Sequence, residues 1–301
     1  MSTYNGLTYL EEQIRSIMTQ TDVDVTLYIR DDGSPKEETR KSLLEMKEKY
    51  PEIILAFEEN VGVGNSFMNA LYKAPDQCEY YAFADQDDSW LPNKLSEGVS
   101  KINGISGMAL YCSNQIVTDE NLEDRKIRFS SAPEVKYGAV LRGNKASGCT
   151  FVFNKQLRDF LSDPKNRPTK ELLKERIHDV WVVEVAALFG TIIYDENGYI
   201  LYRQHGNNVV GAMDYSLGKK IRVKFHNLFA KSNSGQILAE ECLRLWSEGG
   251  SLGDKEQYIR AYAKYKKKWH DKRFVLKQKS TFKRDDESGF EYFTKTMLNR
   301  L

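Results

Sequence analysis

The first 90 residues alternate between helix-like and strand-like patterns, and this alternation restricts the possible folds more than any other feature of the chain. Apolar residues recur at helical spacing over residues 9–18, whereas residues 23–30 and 53–57 read as strands that end in turn-forming residues. Strands separated by helices pair in parallel through crossover connections. We therefore predict an α/β fold with a doubly wound, mostly parallel sheet.

Polar turns that contain glycine follow the strands, actual or implied, at Ser2–Gly6, Asp31–Ser34 and Asn60–Asn65. The carboxyl ends of parallel strands meet at one edge of an open sheet, and ligands bind in the crevice at that edge. We therefore expect these turns to line a single binding crevice.

An apolar strand in the stretch Tyr80–Trp90 ends at three carboxylates, those of Asp85, Asp87 and Asp88. Burial of so much negative charge without compensation is costly, so a cation is its natural partner. Oxygen ligands suit Mg²⁺ or Mn²⁺, which proteins commonly share with the phosphates of a substrate. The alternative is a solvated acidic turn that caps the following helix.

Two other turns carry groups that can contact a nucleotide. Asp32 can accept hydrogen bonds from a base or a ribose, or it can bond to its own backbone in a turn. The turn with Gly62 and Gly64 opens a helix and exposes amide hydrogens to a phosphate, although the same pattern also makes a plain helix cap. Phe67 stands where a dinucleotide fingerprint requires a third glycine, and the chain has no Gly-Lys-Ser/Thr phosphate loop.

Asp179 precedes an apolar run at 180–189 and is either a general base or a helix cap. Arg203 and His205 follow a predicted strand, where a cation can neutralise a leaving diphosphate or can be an ordinary surface residue. The residue types and their spacing leave both pairs of alternatives open.

Composition and charge indicate the setting in which these groups act. The four cysteines form no CxxC pair, which disfavours a zinc site and fits free thiols in a reducing compartment, so we expect a cytoplasmic protein. We find no secretory signal and no apolar run long enough to cross a bilayer.

Charge is distributed unevenly along the chain. Residues 215–301 hold 20 Lys and Arg against 10 Asp and Glu, whereas residues 1–214 hold 24 against 33. Aromatic and basic residues alternate at 217–229 and 258–269, the latter with Tyr262, Tyr265 and Trp269. This pattern predicts a helical, basic C-terminal region whose cationic aromatic segments either meet anionic lipid or are no more than solvated helix faces.

Taken together, the motifs resemble those of the bacterial family 2 glycosyltransferases, which have the GT-A fold. The resemblance covers most of residues 1–210, and Tyr202–Asn208 is most similar to the corresponding stretch of rhamnosyltransferases. The other motifs, in the family's order, are Ser2-Thr3-Tyr4-Asn5-Gly6, Arg30-Asp31-Asp32-Gly33-Ser34, Asn60-x-Gly62-x-Gly64-Asn65, Asp85-Gln86-Asp87-Asp88, Ser147-Gly148 and His178-Asp179. The resemblance implies a Rossmann-like GT-A domain at 1–212 and a helical, basic region at 213–301.

The resemblance also implies a role for each matching residue. Asp179 would be the catalytic base, and Gly148 would open the floor of the acceptor cleft. Asp88 would ligate the metal ion, together with Asp87 and Asp85. The donor would be contacted by Ser2, Tyr4, Asp32, Asn60, Gly62, Asn65, Asp87, Arg203 and His205.

The implied activity is that of an inverting, metal-dependent glycosyltransferase that uses Mg²⁺ or Mn²⁺. The expected donor is dTDP-L-rhamnose, with UDP-sugars next. The expected acceptor is a saccharide or lipid-linked saccharide of a bacterial surface polysaccharide, at the inner face of the cell membrane. A nucleotidyltransferase and a non-catalytic nucleotide-sugar-binding module are the alternatives, and no nucleic acid partner is expected.

Family members begin with a strand ahead of the Ser-Thr-Tyr-Asn turn, whereas only Met1 precedes that turn here. The strand is central in the family's sheet. We therefore expect its neighbours in this chain to lack backbone partners.

Overall fold

A computed structural model gives the fold and describes residues 1–205, 233–247 and 254–301. The strands are β1 (Ser2–Thr3), β2 (Leu27–Asp31), β3 (Ile53–Phe57), β4 (Tyr80–Ala82), β5 (Ser89–Trp90), β6 (Ala109–Thr118), β7 (Lys126–Ile127), β8 (Val152–Asn154) and β9 (Thr191–Arg203). The helices of the first 205 residues are α1 (Leu7–Met18), α2 (Glu37–Lys49), α3 (Val63–Lys73), α4 (Lys94–Ile102), α5 (Tyr137–Val140), α6 (Lys155–Ser162), α7 (Lys170–Glu175) and α8 (His178–Phe189). The C-terminal helices are α9 (Ser234–Ser247), α10 (Lys255–Lys264), α11 (Trp269–Lys277), α12 (Lys279–Phe282) and α13 (Gly289–Met297).

The N-terminal sheet has the order β1-β2-β3 and is entirely parallel, as the alternation of strands and helices predicts. Helix α1 buries Leu10, Ile14 and Ile17 on one face, at the spacing that a packed helix requires. Strand β2 begins at Leu27, later than predicted, because its partner β3 begins at Ile53, which pairs with Leu27.

The second sheet has the order β4-β8-β6-β9-β5, with β7 paired to β6, and it is mixed. Strands β6 and β9 pair in parallel, whereas β8 and β5 are antiparallel to their neighbours. The two short strands predicted near residues 192 and 199 are one long strand, β9, because register shifts near Asn114 absorb the irregularity in the pairing. The predicted α/β class is confirmed, and its parallel part is concentrated in the N-terminal sheet.

A cavity of about 600 Å³ separates the two sheets, and the facing strands β2 and β4 contribute to its wall. Met1 is buried beside it, and its amino group donates a hydrogen bond of 2.8 Å to the carbonyl oxygen of Tyr28. Burial lowers the pKa of that amino group to about 5. The carboxyl ends of β1, β2, β3 and β4 nevertheless reach the same side of the molecule, where the cleft described below opens.

Arg30 is buried at the centre of the N-terminal sheet, with a side chain that is 1% exposed. Its guanidinium pairs with Asp32, donates to Ser66 Oγ at 2.8 Å and donates to Glu58 at 3.2 Å. A fourth contact, of 2.8 Å, reaches the carbonyl oxygen of Glu59. One buried cation therefore fixes the ends of β2 and β3 and the start of α3 relative to each other.

The described C-terminal helices share one hydrophobic core with the first 205 residues, through contacts with α5 and α7. Tyr262 and Tyr265, which the sequence pattern assigned to a lipid-facing segment, are fully buried in this core. Trp269, from the same segment, is 63% exposed. The basic stretch at 217–229 lies outside the described residues, and the predicted boundary at residue 212 stays a prediction.

Within the described ranges, no helix combines the length and the apolar character needed to cross a bilayer.

We expect Arg30→Met to destabilise the fold by about 3–5 kcal/mol, because it leaves the buried carboxylate of Asp32 without its cation. Urea unfolding measured by circular dichroism tests this expectation. Arg15→Met, at an exposed position on α1, is the matched control and should change the free energy of unfolding by less than about 0.5 kcal/mol. Equal midpoints for both variants would contradict the role of Arg30.

Candidate active site

A cleft of about 1120 Å³ opens where β1, β2, β3 and β4 end and where α8 begins. Its wall includes most of the residues predicted from the sequence. These are Ser2, Tyr4, Asp32, Asn60, Gly62, Asp85, Asp87, Gly148, Asp179 and His205. The expectation that separate turns line one crevice is therefore met for this set.

Asp85, Asp88 and Cys149 form a compact cluster, in which one ligand atom from each lies within 4.8 Å of the others. Asp88 is fully buried; its Oδ1 accepts a hydrogen bond of 3.3 Å from the backbone of Arg203. Its Oδ2 accepts none from any residue that the structure describes. An orphaned buried carboxylate oxygen beside a second carboxylate fits a divalent cation.

Burial raises the pKa values of both Asp85 and Asp88, and the neighbouring carboxylates raise them further. Burial also raises the pKa of Cys149, so its thiol stays neutral and is a weak ligand for a hard cation. Lys94 lies close by, with its ammonium 3.7 Å from the ring centroid of Trp90. Burial lowers the pKa of Lys94 to about 7, while the neighbouring carboxylate of Asp88 favours its charged form. The cluster is therefore an electrostatically strained region that a cation would relieve.

Asp87 points to the other side of this turn and pairs with His205 Nε2 at 2.9 Å. The His205 ring packs against Tyr9, with 5.3 Å between ring centroids. Arg203 is 2% exposed and lies behind the turn, where it donates to the carbonyl oxygen of Asp87 at 2.9 Å and pairs with Glu12. Arg203 thus holds the acidic turn in place, while His205 faces the cleft.

Two further predicted contacts lie away from the cleft wall. Asn65 is 6% exposed, and its side chain donates to the carbonyl oxygen of Lys170 in α7 at 3.4 Å. Asp88 sits next to Asp85 but does not contribute to the wall. The predicted contacts of Asn65 and Arg203 with the donor, and of Asp88 with the metal, therefore stay predictions.

Tyr4 and Gln86 brace the end of the cleft that is nearest to β1. The backbone of Tyr4 donates to Gln86 Oε1 at 2.8 Å, and Gln86 Nε2 returns a hydrogen bond of 3.1 Å to the Tyr4 carbonyl oxygen. A Cβ atom at Gly6 would lie 2.2 Å from Gln86 Oε1, so a larger residue there would displace the Gln86 side chain from its hydrogen bonds with Tyr4. The Tyr4 side chain is 46% exposed and free to stack on a base.

Asp32 organises the turn that follows β3. Its carboxylate pairs with Arg30 and accepts backbone hydrogen bonds from Val61 at 2.9 Å and from Gly62 at 3.0 Å. Gly62 has φ of 84°, a conformation that favours glycine. Asn60 adds a hydrogen bond of 2.9 Å to the carbonyl oxygen of Asp32. Asp32 therefore stabilises the turn after β3 rather than its own turn, and its contact with a base or a ribose stays a prediction.

Asp179 lies at the start of α8 and accepts a hydrogen bond of 2.6 Å from the backbone of Val180. Burial raises its pKa to about 6, and the backbone hydrogen bonds from Val180 and Gly148 only partly oppose this. A carboxyl group with such a pKa is ionised at neutral pH and is a stronger base than an exposed aspartate. Because Gly148 has no side chain, its backbone can lie close to His178 and Asp179. A Cβ atom at Gly148 would lie 2.6 Å from His178 Nε2.

His178 stacks on Phe67 with 3.9 Å between ring centroids and meets the edge of Phe83 at 4.8 Å. Burial lowers its pKa to about 3, so the imidazole is neutral. It lines the cleft beside Asp179 and holds the start of α8 against the core of the molecule.

Sequence reasoning missed the cations of the cleft wall. Arg128 donates to Ser147 Oγ at 2.7 Å, Arg176 donates to Ser234 Oγ at 2.8 Å, and Lys145 pairs with Asp285 at 2.7 Å. Arg128 belongs to a polar loop without a recognisable motif, and Arg176 reaches the cleft only through the packing of α7 and α8. No spacing in the sequence could have identified them.

Comparisons with known proteins agree with this arrangement. Residues 1–163 match the profile of Glycosyl transferase family 2. Over 225 residues the chain is 31% identical to the dTDP-rhamnosyl transferase RfbG of Shigella flexneri, covering 70% of this chain and 74% of that protein. Over 218 residues it is 38% identical to the uncharacterized glycosyltransferase alr2836 of Nostoc sp., covering 69% and 64% of the two chains.

Among solved structures, S. aureus TarS 1-349 in complex with UDP matches with a TM-score of 0.54 and 17% identity. The match covers 99% of this chain and 89% of that one, and at this identity it supports the GT-A-like fold alone. The profile match and the relatives favour sugar transfer over the nucleotidyltransferase alternative. The chain is therefore a glycosyltransferase and belongs to Glycosyl transferase family 2.

Proposed function

We propose that this protein transfers L-rhamnose from dTDP-L-rhamnose, with inversion, to a hydroxyl group of a saccharide or lipid-linked saccharide used in bacterial surface polysaccharide synthesis. The identity of 31% with a dTDP-rhamnosyl transferase over 70% of this chain carries the choice of donor. A UDP-sugar is the second candidate. The polar end of the cleft, with Tyr4, Asp32 and Asn60, has the hydrogen-bonding groups that a pyrimidine nucleotide requires.

In the proposed reaction the acceptor oxygen attacks the anomeric carbon from the face opposite the diphosphate. The bond between that carbon and the diphosphate oxygen breaks, and the nucleoside diphosphate leaves with the bonding electrons. Asp179 takes the proton of the attacking hydroxyl, and its raised pKa suits that task. His205 and the cleft cations Arg128 and Arg176 would balance negative charge on the leaving group.

Asp85 and Asp88 would hold a Mg²⁺ or Mn²⁺ ion beside the cleft. Such an ion, when bound, neutralises the charge that develops on the leaving diphosphate. Asp87, which pairs with His205, would contact the ribose of the donor. In this proposal, Asp85 and Asp88 bind the metal ion and Asp87 contacts the donor, so the carboxylates of one turn point in different directions.

We further propose that the enzyme acts in the cytoplasm, as a peripheral protein on the inner face of the cell membrane. A lipid-linked acceptor stays in the bilayer, so an enzyme that uses it must approach the membrane surface. The basic character of residues 215–301 favours contact with anionic lipid.

Calorimetric titration with nucleotide sugars tests the donor. We expect dTDP-L-rhamnose to bind more tightly than UDP-glucose, and its excess at about 100 times Kd to stabilise the fold by about 2.7 kcal/mol. Release of dTDP in the presence of an acceptor should follow. Tighter binding and faster turnover of a UDP-sugar would replace the donor while leaving the family reaction intact.

We expect Asp179→Asn to retain donor binding but to lower kcat by a factor of about 10²–10⁴, because the amide cannot accept the proton. The parent enzyme should lose activity as the pH falls below about 6, where the carboxylate becomes protonated. Asp159→Asn, at an exposed position on α6, is the matched control and should keep the parent rate. A pH profile that is the same for parent and Asp179→Asn would refute the assignment.

We expect Asp88→Asn to weaken Mn²⁺-dependent donor binding by a factor of about 10–100, because a carboxylate in or beside the ligand shell is lost. Calorimetry with and without Mn²⁺ measures this difference independently of turnover. Asp124→Asn, in an exposed loop, serves as the control. If Mn²⁺ raises the donor affinity of the Asp88 variant as much as that of the parent, Asp88 is not part of the metal site.

A further inference from the structure

Helix α13 has apolar residues on two opposite faces, one buried and one open to solvent. Tyr292 packs in the core, whereas Phe290 is 81% exposed and Phe293 is 53% exposed. Met297 and Leu298 extend the same row, at 37% and 48% exposed. Positions 290, 293 and 297 follow the i, i+3, i+7 spacing, so they lie on one side of the helix. The exposed face is therefore a continuous apolar strip.

Trp269 adds a large ring at the C-terminal end of this strip. Lys272 Nζ donates to the carbonyl oxygen of Met297 at 3.3 Å, and the same ammonium lies 6.0 Å from the centroid of the Trp269 ring. The start of α11 is thus next to the end of α13. We call this set the apolar patch, and its members are Trp269, Phe290, Phe293, Met297 and Leu298.

Charge around the apolar patch is predominantly positive. Residues 264–301 hold 12 Lys and Arg against 5 Asp and Glu. Lys267, Lys268 and Arg273, which neighbour Trp269 in the sequence, are exposed. Nearby acidic groups are neutralised within the molecule; Glu291, for example, pairs with Lys295 at 2.8 Å. The patch therefore combines exposed aromatic rings with a cationic border.

This combination fits an anionic bilayer better than a second copy of the chain. Tryptophan and phenylalanine insert at the boundary between headgroups and acyl chains, and lysine and arginine contact anionic headgroups around them. In a symmetric dimer formed through this patch, the same cationic border would face itself. Repulsion between like charges opposes that contact.

The apolar patch is also connected to the cleft by short, well-defined contacts. Glu287, three residues before Phe290, forms a buried bidentate pair with Arg142, with both distances 2.6 Å. The residues that follow Arg142, Gly143 to Lys145, line the cleft on the side of Gly148. Through Glu287 and Arg142, the segment that leads into α13 is therefore held against the loop that lines the cleft.

We propose that the apolar patch docks the enzyme on an anionic bilayer and thereby places the acceptor end of the cleft against a membrane-held acceptor, an inference that rests on the proposed function for its choice of acceptor. The contact is interfacial, with the rings of α13 and Trp269 among the headgroups and the cleft above them. It requires no spanning helix.

Co-sedimentation with vesicles tests the proposal. The full chain should bind vesicles made of equal parts phosphatidylcholine and phosphatidylglycerol, and should bind pure phosphatidylcholine vesicles more weakly. F290S/F293S should lower the partition coefficient by about tenfold or more, since two large apolar side chains no longer leave water. K267E/K268E should lower binding to the anionic vesicles alone, and added salt should reduce the difference between the two vesicle types.

Leu44→Ser is the matched control, because Leu44 is 45% exposed on a helix of the N-terminal part. It should bind vesicles as the parent does. Thermal unfolding of F290S/F293S should match the parent, since both rings are already in solvent. Equal vesicle binding by F290S/F293S and the parent would overturn the proposal. So would a concentration-dependent dimer that F290S/F293S abolishes, if the parent does not bind vesicles.

Donor calorimetry on the same samples separates this inference from the proposed function. If F290S/F293S keeps the parent affinity for dTDP-L-rhamnose and its rate with a water-soluble saccharide acceptor, but loses transfer to an acceptor embedded in vesicles, the docking role is supported. If the parent binds vesicles but binds no nucleotide sugar, the proposed function fails while the docking surface stands.

Discussion

The acidic turn after β4 imposes the constraint on which the rest of the site depends. Asp85 and Asp88 are brought together in a desolvated position, where burial and mutual repulsion raise their pKa values. The protein supplies only part of the compensation, through Lys94 and the backbone of Arg203. The remaining uncompensated negative charge lies beside the cleft. A cation bound there would stabilise the acidic turn and would also attract an anionic ligand.

A buried ion pair lies at each end of the cleft and holds the adjoining segments together. Arg30 and Asp32 fix the turn that lines the donor end, and Arg142 and Glu287 join the C-terminal helices to the loop that lines the other end. Each pair costs desolvation, and removal of one partner would leave the other charge buried without compensation. The C-terminal helices are therefore part of the framework of the site, and the described ones share its hydrophobic core.

Local patterns predicted well those features that depend on local chemistry. Strand β3 has the predicted bounds, and the apolar run before Gly190 is helix α8. The cleft residues were found because their turns follow strands. The mixed pairing of the second sheet was not predictable, because strand partners are chosen by contacts between residues such as Ala82 and Val152, which are far apart in the chain. The buried positions of Tyr262 and Tyr265 were missed for the same reason. The sequence of a basic helix with aromatic residues does not show whether those residues pack in the core or face solvent.

The sequence by itself determined the α/β class and the set of turns that meet at one edge, because strand and helix periods and turn residues act over a few positions. The family followed from the resemblance of its motifs. Only the tertiary structure decided which polar groups face the cleft and which lie behind it. Asp87 and Asp88 are neighbours in the chain, yet the first pairs with His205 in the cleft and the second is fully buried. Successive side chains leave the backbone in different directions, and the surrounding packing alone determines which direction meets solvent.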